Sequence, residues 1–176
     1  MPELAFISLG SNIEPEENLT FGTRRLGELG RIISISTVYQ NPAVGSTPQP
    51  DFLNAAALIE TDLPAEAIRR HLRRIEVDSG RVRTQDKYAP RTLDLDLCLL
   101  GNHVIECSEL VLPDPDLLTR AHVAVPMAEL APSFLHPIDG ETLQTIADRL
   151  RPEASLRPRL EITDRLRRIL LELGSS

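Results

Sequence analysis

Residues 89–100 read APRTLDLDLCLL, with aspartate and leucine in strict alternation. Side chains two apart on a strand share a face, so Asp94 and Asp96 stand side by side, about 7 Å apart along the chain. Leu93, Leu95 and Leu97 then point the other way, into a core. Two adjacent carboxylates repel and tend to take up a proton. A hard divalent cation removes that conflict, and magnesium in particular takes carboxylate oxygen while leaving positions for water and nucleotide phosphate. The alternative is a solvated strand face that happens to carry two acids, but aspartate is disfavoured in strands. Arginines flank the pair: Arg81 and Arg83 alternate upstream and Arg91 precedes Asp94 by three residues. Lys87 is the only lysine of the chain, so any phosphate chemistry falls to guanidinium forks. Any one of these arginines alone reads as solvated charge. Three around a carboxylate pair read as a polyphosphate site. No GxxxxGK[ST] run is present, which excludes a P-loop.

The elements that position these residues follow from periodicity. Residues 4–9 form a buried strand entering a turn at Gly10-Ser11-Asn12. Residues 15–29 form a helix with Pro15 in its first turn. Residues 31–39, rich in β-branched types, form a second strand. The stretch 41–51 holds three prolines and a glycine and is a long loop, the kind that carries function. Residues 52–60 read as strand and 64–78 as an amphipathic helix on Ala67, Ile68, Leu72 and Ile75, stopped at Gly80. A polar loop spans 80–91 and a strand 92–100, with Gly101-Asn102 as a hairpin turn into 103–105. Helices at 121–131 and 141–150 follow, then a linker at 152–158 and an amphipathic helix at 160–173. The order strand, helix, strand, strand, helix, strand is the split βαβ pattern of a ferredoxin-like sheet with helices on one face.

Bulk composition narrows the class. At 176 residues the chain is one domain, or one domain with a tail, large enough for a core without disulfides. A net charge of −7 and 3% aromatic content argue against a nucleic-acid surface. No stretch approaches a membrane span and the first ten residues are unlike a signal peptide. Cys98 and Cys107 lack metal-ligand spacing and read as reduced thiols of a cytoplasmic protein. Phe52 and Asn54 are two apart on one strand face: a ring that can stack on a flat heterocycle, and an amide that can donate to and accept from its edge. Phe52 reads equally well as a core ring, whereas a buried amide such as Asn54 needs a partner.

KYAPRTLDLDL at 87–97 resembles the signature of the 6-hydroxymethyl-7,8-dihydropterin pyrophosphokinase family: a basic residue, any residue, Gly or Ala, Pro, Arg, two residues, then Asp-x-Asp. ISLGSN at 7–12 resembles the family's first strand and turn, and NPAVG at 41–45 its first catalytic loop. QPDFLNAA at 49–56 resembles its pterin-side strand and RIEVDSGRVR at 74–83 its helix end and second loop. The five matches are collinear from residue 4 to about 150. The resemblance implies an α+β fold, a ferredoxin-like αβα sandwich on an antiparallel-type sheet with a C-terminal helical extension. It divides the chain into a catalytic domain at 1–151 and a linker with C-terminal helix at 152–176. It implies transfer of the β,γ-pyrophosphoryl group of ATP to the hydroxymethyl of a reduced pterin, with release of AMP. Asp94 and Asp96 match the ligands of two magnesium ions that bind with ATP, and Arg81 and Arg91 match the catalytic arginines. Glu76, Arg83, Tyr88, Leu97 and Arg120 match positions on the ATP side. Pro42, Val44, Gly45, Phe52, Asn54 and His122 match positions around the pterin. Loops 41–51 and 80–91 are expected to close over both substrates.

Three places depart from the family's pattern. Tyr88 stands where a tryptophan is usual, Asp114 and Pro115 where several members carry His and Tyr, and His122 where a second stacking ring is often Phe. Rival readings are the same chemistry on a different reduced pterin alcohol, a non-catalytic ferredoxin-like ligand-binding module, and an RNA-binding module on the same fold. The last is opposed by acidity and scarce rings. Neither nucleic acid nor membrane is an expected partner. A monomer is expected, with a dimer through the C-terminal helix left open.

Overall fold

Strand β4 (Phe52–Thr61) is the axis of the molecule. The computed structural model describes residues 1–175. One edge of β4 pairs antiparallel with β1 (Glu3–Ser11), which in turn pairs antiparallel with β5 (Asp94–Leu100). The other edge is shared in succession by β2 (Arg31–Ile35), opposite residues 57–60, and β3 (Tyr39–Asn41), opposite residues 52–54. The expected continuous strand at 31–39 is therefore broken at Ser36–Val38. The Ser36 hydroxyl accepts from the Ala56 N–H at 2.8 Å, and the Thr37 N–H donates to the Glu129 carboxylate at 2.9 Å. Side chains take over ladder positions there, and the strand restarts at Tyr39.

Helices cover both faces. The pattern-based expectation of one helical face is corrected by the segment after β5. On one face α1 (Pro15–Leu26), α2 (Ala65–Asp78) and α5 (Leu160–Gly174) pack over Ile7, Leu9, Ala57, Ile59, Leu93 and Leu95. On the other, α3 (Ala121–Leu130) and α4 (Leu143–Leu150) pack over Phe6, Ala56, Leu58 and Leu99. Strand alternation feeds both layers, because neighbouring residues of β1 and β4 point to opposite sides. The α3 segment, AHVAVPMAEL, is apolar almost all round and has no stripe to orient it from sequence.

Two other expectations change. Gly101-Asn102 does not fold a hairpin back along β5. His103 is drawn across the end of β1 by Glu3 at 2.8 Å, and β6 (Ile105–Glu106) pairs instead with β7 (Val111–Leu112). Nor is 152–158 a free linker, since β8 (Arg157–Pro158) adds to the edge of β3. From there α5 buries Ile162, Leu166 and Ile169 in the same core as α1. Gly80 does end α2, at φ 88°, a left-handed conformation that glycine adopts without a Cβ penalty.

Candidate active site

Sheet register assembles the site. Asp94 of β5 lies opposite Gly10 of β1, and Gly10 lies opposite Asn54 of β4. One row across three strands thus carries a carboxylate, a gap and an amide on the face shared with α3. The gap is required: a Cβ on Gly10 would sit 2.7 Å from the Asn54 Oδ1. Asp96, Asp94 and Phe52, by strand alternation, join the same face. Leu93, Leu95 and Leu97 are buried on the opposite face.

The acidic side is built on Glu76. This residue follows Ile75 on α2 and is 1% exposed. Its carboxylate accepts from Arg73 at 2.8 and 3.0 Å, from Arg83 at 2.8 Å and from the Leu95 N–H at 2.9 Å, and pairs with Arg81 at 3.0 Å. A buried carboxylate is tolerated only when paired and hydrogen-bonded, and here three guanidinium groups and one amide do that. Two of these arginines, Arg73 and Arg81, reach on to the aspartates, and Arg91 joins them there. Arg81 donates to Asp94 at 2.8 Å and to the Leu93 carbonyl at 3.2 Å, and Arg91 donates to Asp94 at 2.6 Å. Among the described residues Asp96 has one cation within ion-pair distance, Arg73, at 3.5 Å.

The two aspartates therefore differ. Burial pushes the Asp94 carboxyl up, but Arg91 and Arg81 outweigh it and hold the group below its ordinary value. Asp96 is pushed up to about 7, by burial first and then by the charge of Asp94, with Arg73 opposing. Asp114 is also raised, chiefly by burial. This is the electrostatic conflict that a divalent cation relieves, so the donor set fits magnesium. Among the described residues there is no cluster of three or more His, Cys, Asp or Glu able to hold a metal alone. Two carboxylates leave the remaining positions to water and ligand phosphates, as magnesium prefers.

Beside Asp94 and Arg91 opens a cavity of about 300 Å³. Asn41, Phe52 and Asn54 line it from the sheet, Pro42, Val44 and Tyr88 from two loops, and Arg120 and His122 from the start of α3. Asn54 donates through Nδ2 to the Asn41 Oδ1 at 2.6 Å. Burial, and next the neighbouring Arg120, lowers the His122 pKa, so its ring is neutral at pH 7. A second hollow of about 170 Å³ lies past Asp96, between Arg73 of α2 and Leu97, Asp114 and Pro115. A carboxylate pair with guanidinium groups thus stands between a hollow on one side and a ring-and-amide pocket on the other. That arrangement can hold a polyphosphate across the aspartates and aim its far end at a flat heterocycle.

The family model described as 7,8-dihydro-6-hydroxymethylpterin-pyrophosphokinase matches residues 6–132. The chain belongs to this family. The 2-amino-4-hydroxy-6-hydroxymethyldihydropteridine pyrophosphokinase of Haemophilus influenzae is 38% identical over 150 residues, covering 82% of this chain and 93% of that protein. The protein of the same name from Pseudomonas aeruginosa is 35% identical over 147 residues, covering 81% and 89%. Among solved structures, an HPPK-DHPS in complex with substrates superposes with a TM-score of 0.64 at 13% identity. Wild-type Plasmodium falciparum HPPK-DHPS with pterin and p-hydroxybenzoate superposes with a TM-score of 0.63, also at 13% identity. Each is matched by 85% of this chain, which spans 43% and 42% of those chains. At that identity the likeness concerns the fold alone, and it is the ferredoxin-like one.

Within this pyrophosphokinase fold the expected residues fall into three groups. Asp94, Asp96, Arg81 and Arg91 converge, and Pro42, Val44, Phe52, Asn54, Tyr88, Arg120 and His122 share one cavity. Gly45 turns its loop at φ 123°, where a Cβ would sit 3.1 Å from Tyr88. Leu97 is 5% exposed and reaches only the wall of the smaller hollow. Glu76, expected to face ATP, lies beneath the site, its oxygens taken by three arginines and the Leu95 amide. Arg83 pairs with it from a largely exposed position. Three residues were not singled out for the site from the sequence. Asn41 was read only within the NPAVG loop and Asn12 only within the turn after the first strand, while Arg73 had the signal of an arginine three positions before Glu76. The Asn12 backbone N–H donates to the Arg91 carbonyl at 3.1 Å, and its Oδ1 accepts from the Arg91 N–H at 2.8 Å. Its Nδ2 donates to Gln49 at 2.7 Å, and Gln49 donates to the Tyr88 carbonyl at 2.6 Å. That chain of bonds ties the roots of both loops to the end of β1.

Proposed function

We infer that this chain transfers the pyrophosphoryl group of ATP to the hydroxymethyl oxygen of 6-hydroxymethyl-7,8-dihydropterin, giving the pterin diphosphate and AMP in folate biosynthesis. The observation that carries it is the row Asp94, Gly10, Asn54. It sets a carboxylate pair with arginine forks next to a cavity lined by two amides and three rings. The pterin oxygen attacks the β-phosphorus, the bond from that phosphorus to the α,β-bridging oxygen breaks, and the alcohol's proton is released to solvent. Phosphoryl-type transfer has a loose transition state, so positioning and charge neutralisation matter more than a strong base. Arg81 and Arg91 supply fixed guanidinium charge at the transferring group. Asn54 holds the pterin edge, and Phe52 and the neutral His122 its faces. Asp94 and Asp96 would hold magnesium, taken as two ions, which would supply charge to neutralise the triphosphate oxygens. Loops 41–51 and 80–91, whose Val44 and Tyr88 stand exposed at the cavity, close and exclude water that would compete with the pterin alcohol.

We take residues 1–151 as the catalytic unit and 152–176 as a linker and C-terminal helix, which packs against that unit through β8 and Ile162, Leu166 and Ile169, the whole acting as a monomer in the cytoplasm. In support, both cysteines are free, and among the described residues no helix is long and apolar enough to cross a membrane. The test is AMP release from ATP and magnesium, with and without the pterin, for the wild type and Asp96→Ala. Pterin-dependent AMP that disappears in the variant supports the reading. ADP would show ordinary kinase chemistry. Retained ATP binding without pterin-dependent turnover would point to another reduced pterin alcohol, for which His122 in the cavity is the observation.

A further inference from the structure

Arg73 is the one guanidinium of the cluster that touches Asp96. It leaves α2 three residues before Glu76 and holds that buried carboxylate through Nη1, at 2.8 and 3.0 Å. Its Nη2 lies 3.5 Å from the Asp96 Oδ1. The two contacts are unequal. Glu76 is 1% exposed, so the Nη1 contact is anchored, while Asp96 has a side chain 38% exposed and, among the described residues, no other cation within ion-pair distance. Asp94, by contrast, is gripped by both Arg81 and Arg91. The side chain of Arg73 also lines the hollow bounded by Asp96, Leu97 and Asp114. A cation seated on both aspartates competes with Nη2 for the Asp96 oxygen, and the protein alone offers too few donors to complete its coordination.

We propose that Arg73 occupies the cation's place on Asp96 in the free protein and, when the cation arrives with the nucleotide, keeps its Nη1 on Glu76 and passes its Nη2 to a phosphate oxygen of that nucleotide. This rests on the polyphosphate reading of the site and adds to it a coupling between the two ligands. A cation alone must displace Nη2 and leave it unpaired beside the hollow. A cation accompanied by polyphosphate gives Nη2 a new acceptor in a charge-assisted bond. Arg73 therefore weakens binding of the bare cation and strengthens binding of the cation–nucleotide pair, and by linkage the coupling is reciprocal.

The experiment is calorimetric titration of the full chain with Mn²⁺ alone, and with Mn²⁺ plus α,β-methylene-ATP, whose carbon bridge replaces the bond to be broken. Wild type, Arg73→Gln, Arg73→Lys and Arg69→Gln are compared. Arg69 lines the same hollow but pairs with Glu109 at 3.4 Å, so its variant removes an equal charge without touching Asp96. In Arg73→Gln, binding of Mn²⁺ alone should tighten about three- to fivefold, the worth of a partly exposed ion pair. Binding with the analogue should weaken about tenfold, the worth of a charged hydrogen bond. Arg73→Lys should move both affinities in the same directions, because one ammonium cannot hold Glu76 and reach Asp96 together, and it tests the idea should the glutamine variant not fold. Unchanged or weaker Mn²⁺ binding in the Arg73 variants, or equal tightening in Arg69→Gln, overturns the exchange while leaving the polyphosphate reading in place. A wild type that binds neither Mn²⁺ nor the Mn²⁺–analogue pair overturns both.

Discussion

The two halves of the site solve opposite problems. The acidic half is charged and already organised: Glu76 gathers three arginines, two of which continue to the aspartates, and every member is rooted in α2, β5 or the loop ends beside them. The half proposed for the pterin carries rings and amides among its charges and is only partly organised. Asn54 and Asn41 are fixed by the sheet, but Pro42, Val44 and Tyr88 come from loops that expose their apolar side chains. Charge needs preorganisation, because fixed dipoles and guanidinium groups stabilise a transition state only if they need not be rearranged. A flat heterocycle needs enclosure, which loops supply after it has entered.

Breaking the acidic half should have the larger effect. Arg81→Ala removes a guanidinium that serves both Glu76 and Asp94, and should lower kcat for AMP formation by about 10²- to 10³-fold with little change in the pterin KM. A KM effect alone would place Arg81 outside the transition state. Glu76→Ala should be the most destabilising single change, by about 3–5 kcal/mol, since three arginines and the Leu95 amide lose a buried partner. Denaturant unfolding measures this, and a loss below about 1 kcal/mol would show that water replaces the carboxylate.

On the pterin side the same kind of cut should be milder and confined to one substrate. Asn54→Ala should raise the pterin dissociation constant about tenfold or more and leave binding of the ATP analogue unchanged. Asn41→Ala, which frees the Asn54 amide without touching the ring faces, should give the same pattern at smaller size. If either variant also weakens nucleotide binding, the two halves are not separable as described.

The smallest expected effect is one of pH on the metal-free protein. Asp96 has a value near 4 in an unfolded chain and about 7 in the fold, so the folded state holds the proton more tightly. Its contribution to stability is complete below about pH 4 and is lost as pH rises to about 7. Unfolding free energy should fall slightly from pH 5 to 8 in the wild type and not in Asp96→Asn. The effect is tempered by water, because the Asp96 side chain is 38% exposed. Asp94 acts with opposite sign, stabilising above its ordinary value and losing that as the pH falls. A slope that persists in Asp96→Asn would belong to Asp114, also raised by burial.

Much of this was legible in the chain because its signals are local. Alternation in LDLDL put the aspartates on one face and the leucines in the core, and a three-residue offset put Arg91 beside Asp94. The split of 31–39 and the strand at 157–158 were not legible, and the second helical layer followed from the resemblance to an αβα sandwich but not from periodicity. Each depends on a distant partner: Glu129 and Ala56 for the split, the apolar α3 for the layer, the β3 edge for the last strand. Glu76 is the sharpest case. Its sequence neighbourhood marks it as a site residue, yet only packing of α2 on β5 turns it inward, beneath the ligands, where it must be met by arginines. Sequence by itself determined which residues carry charge and which carry rings. The register of β5, β1 and β4 decided that Asp94, Gly10 and Asn54 form one row, because strand pairing is set by long-range burial of one face and not by anything written between residues 10, 54 and 94.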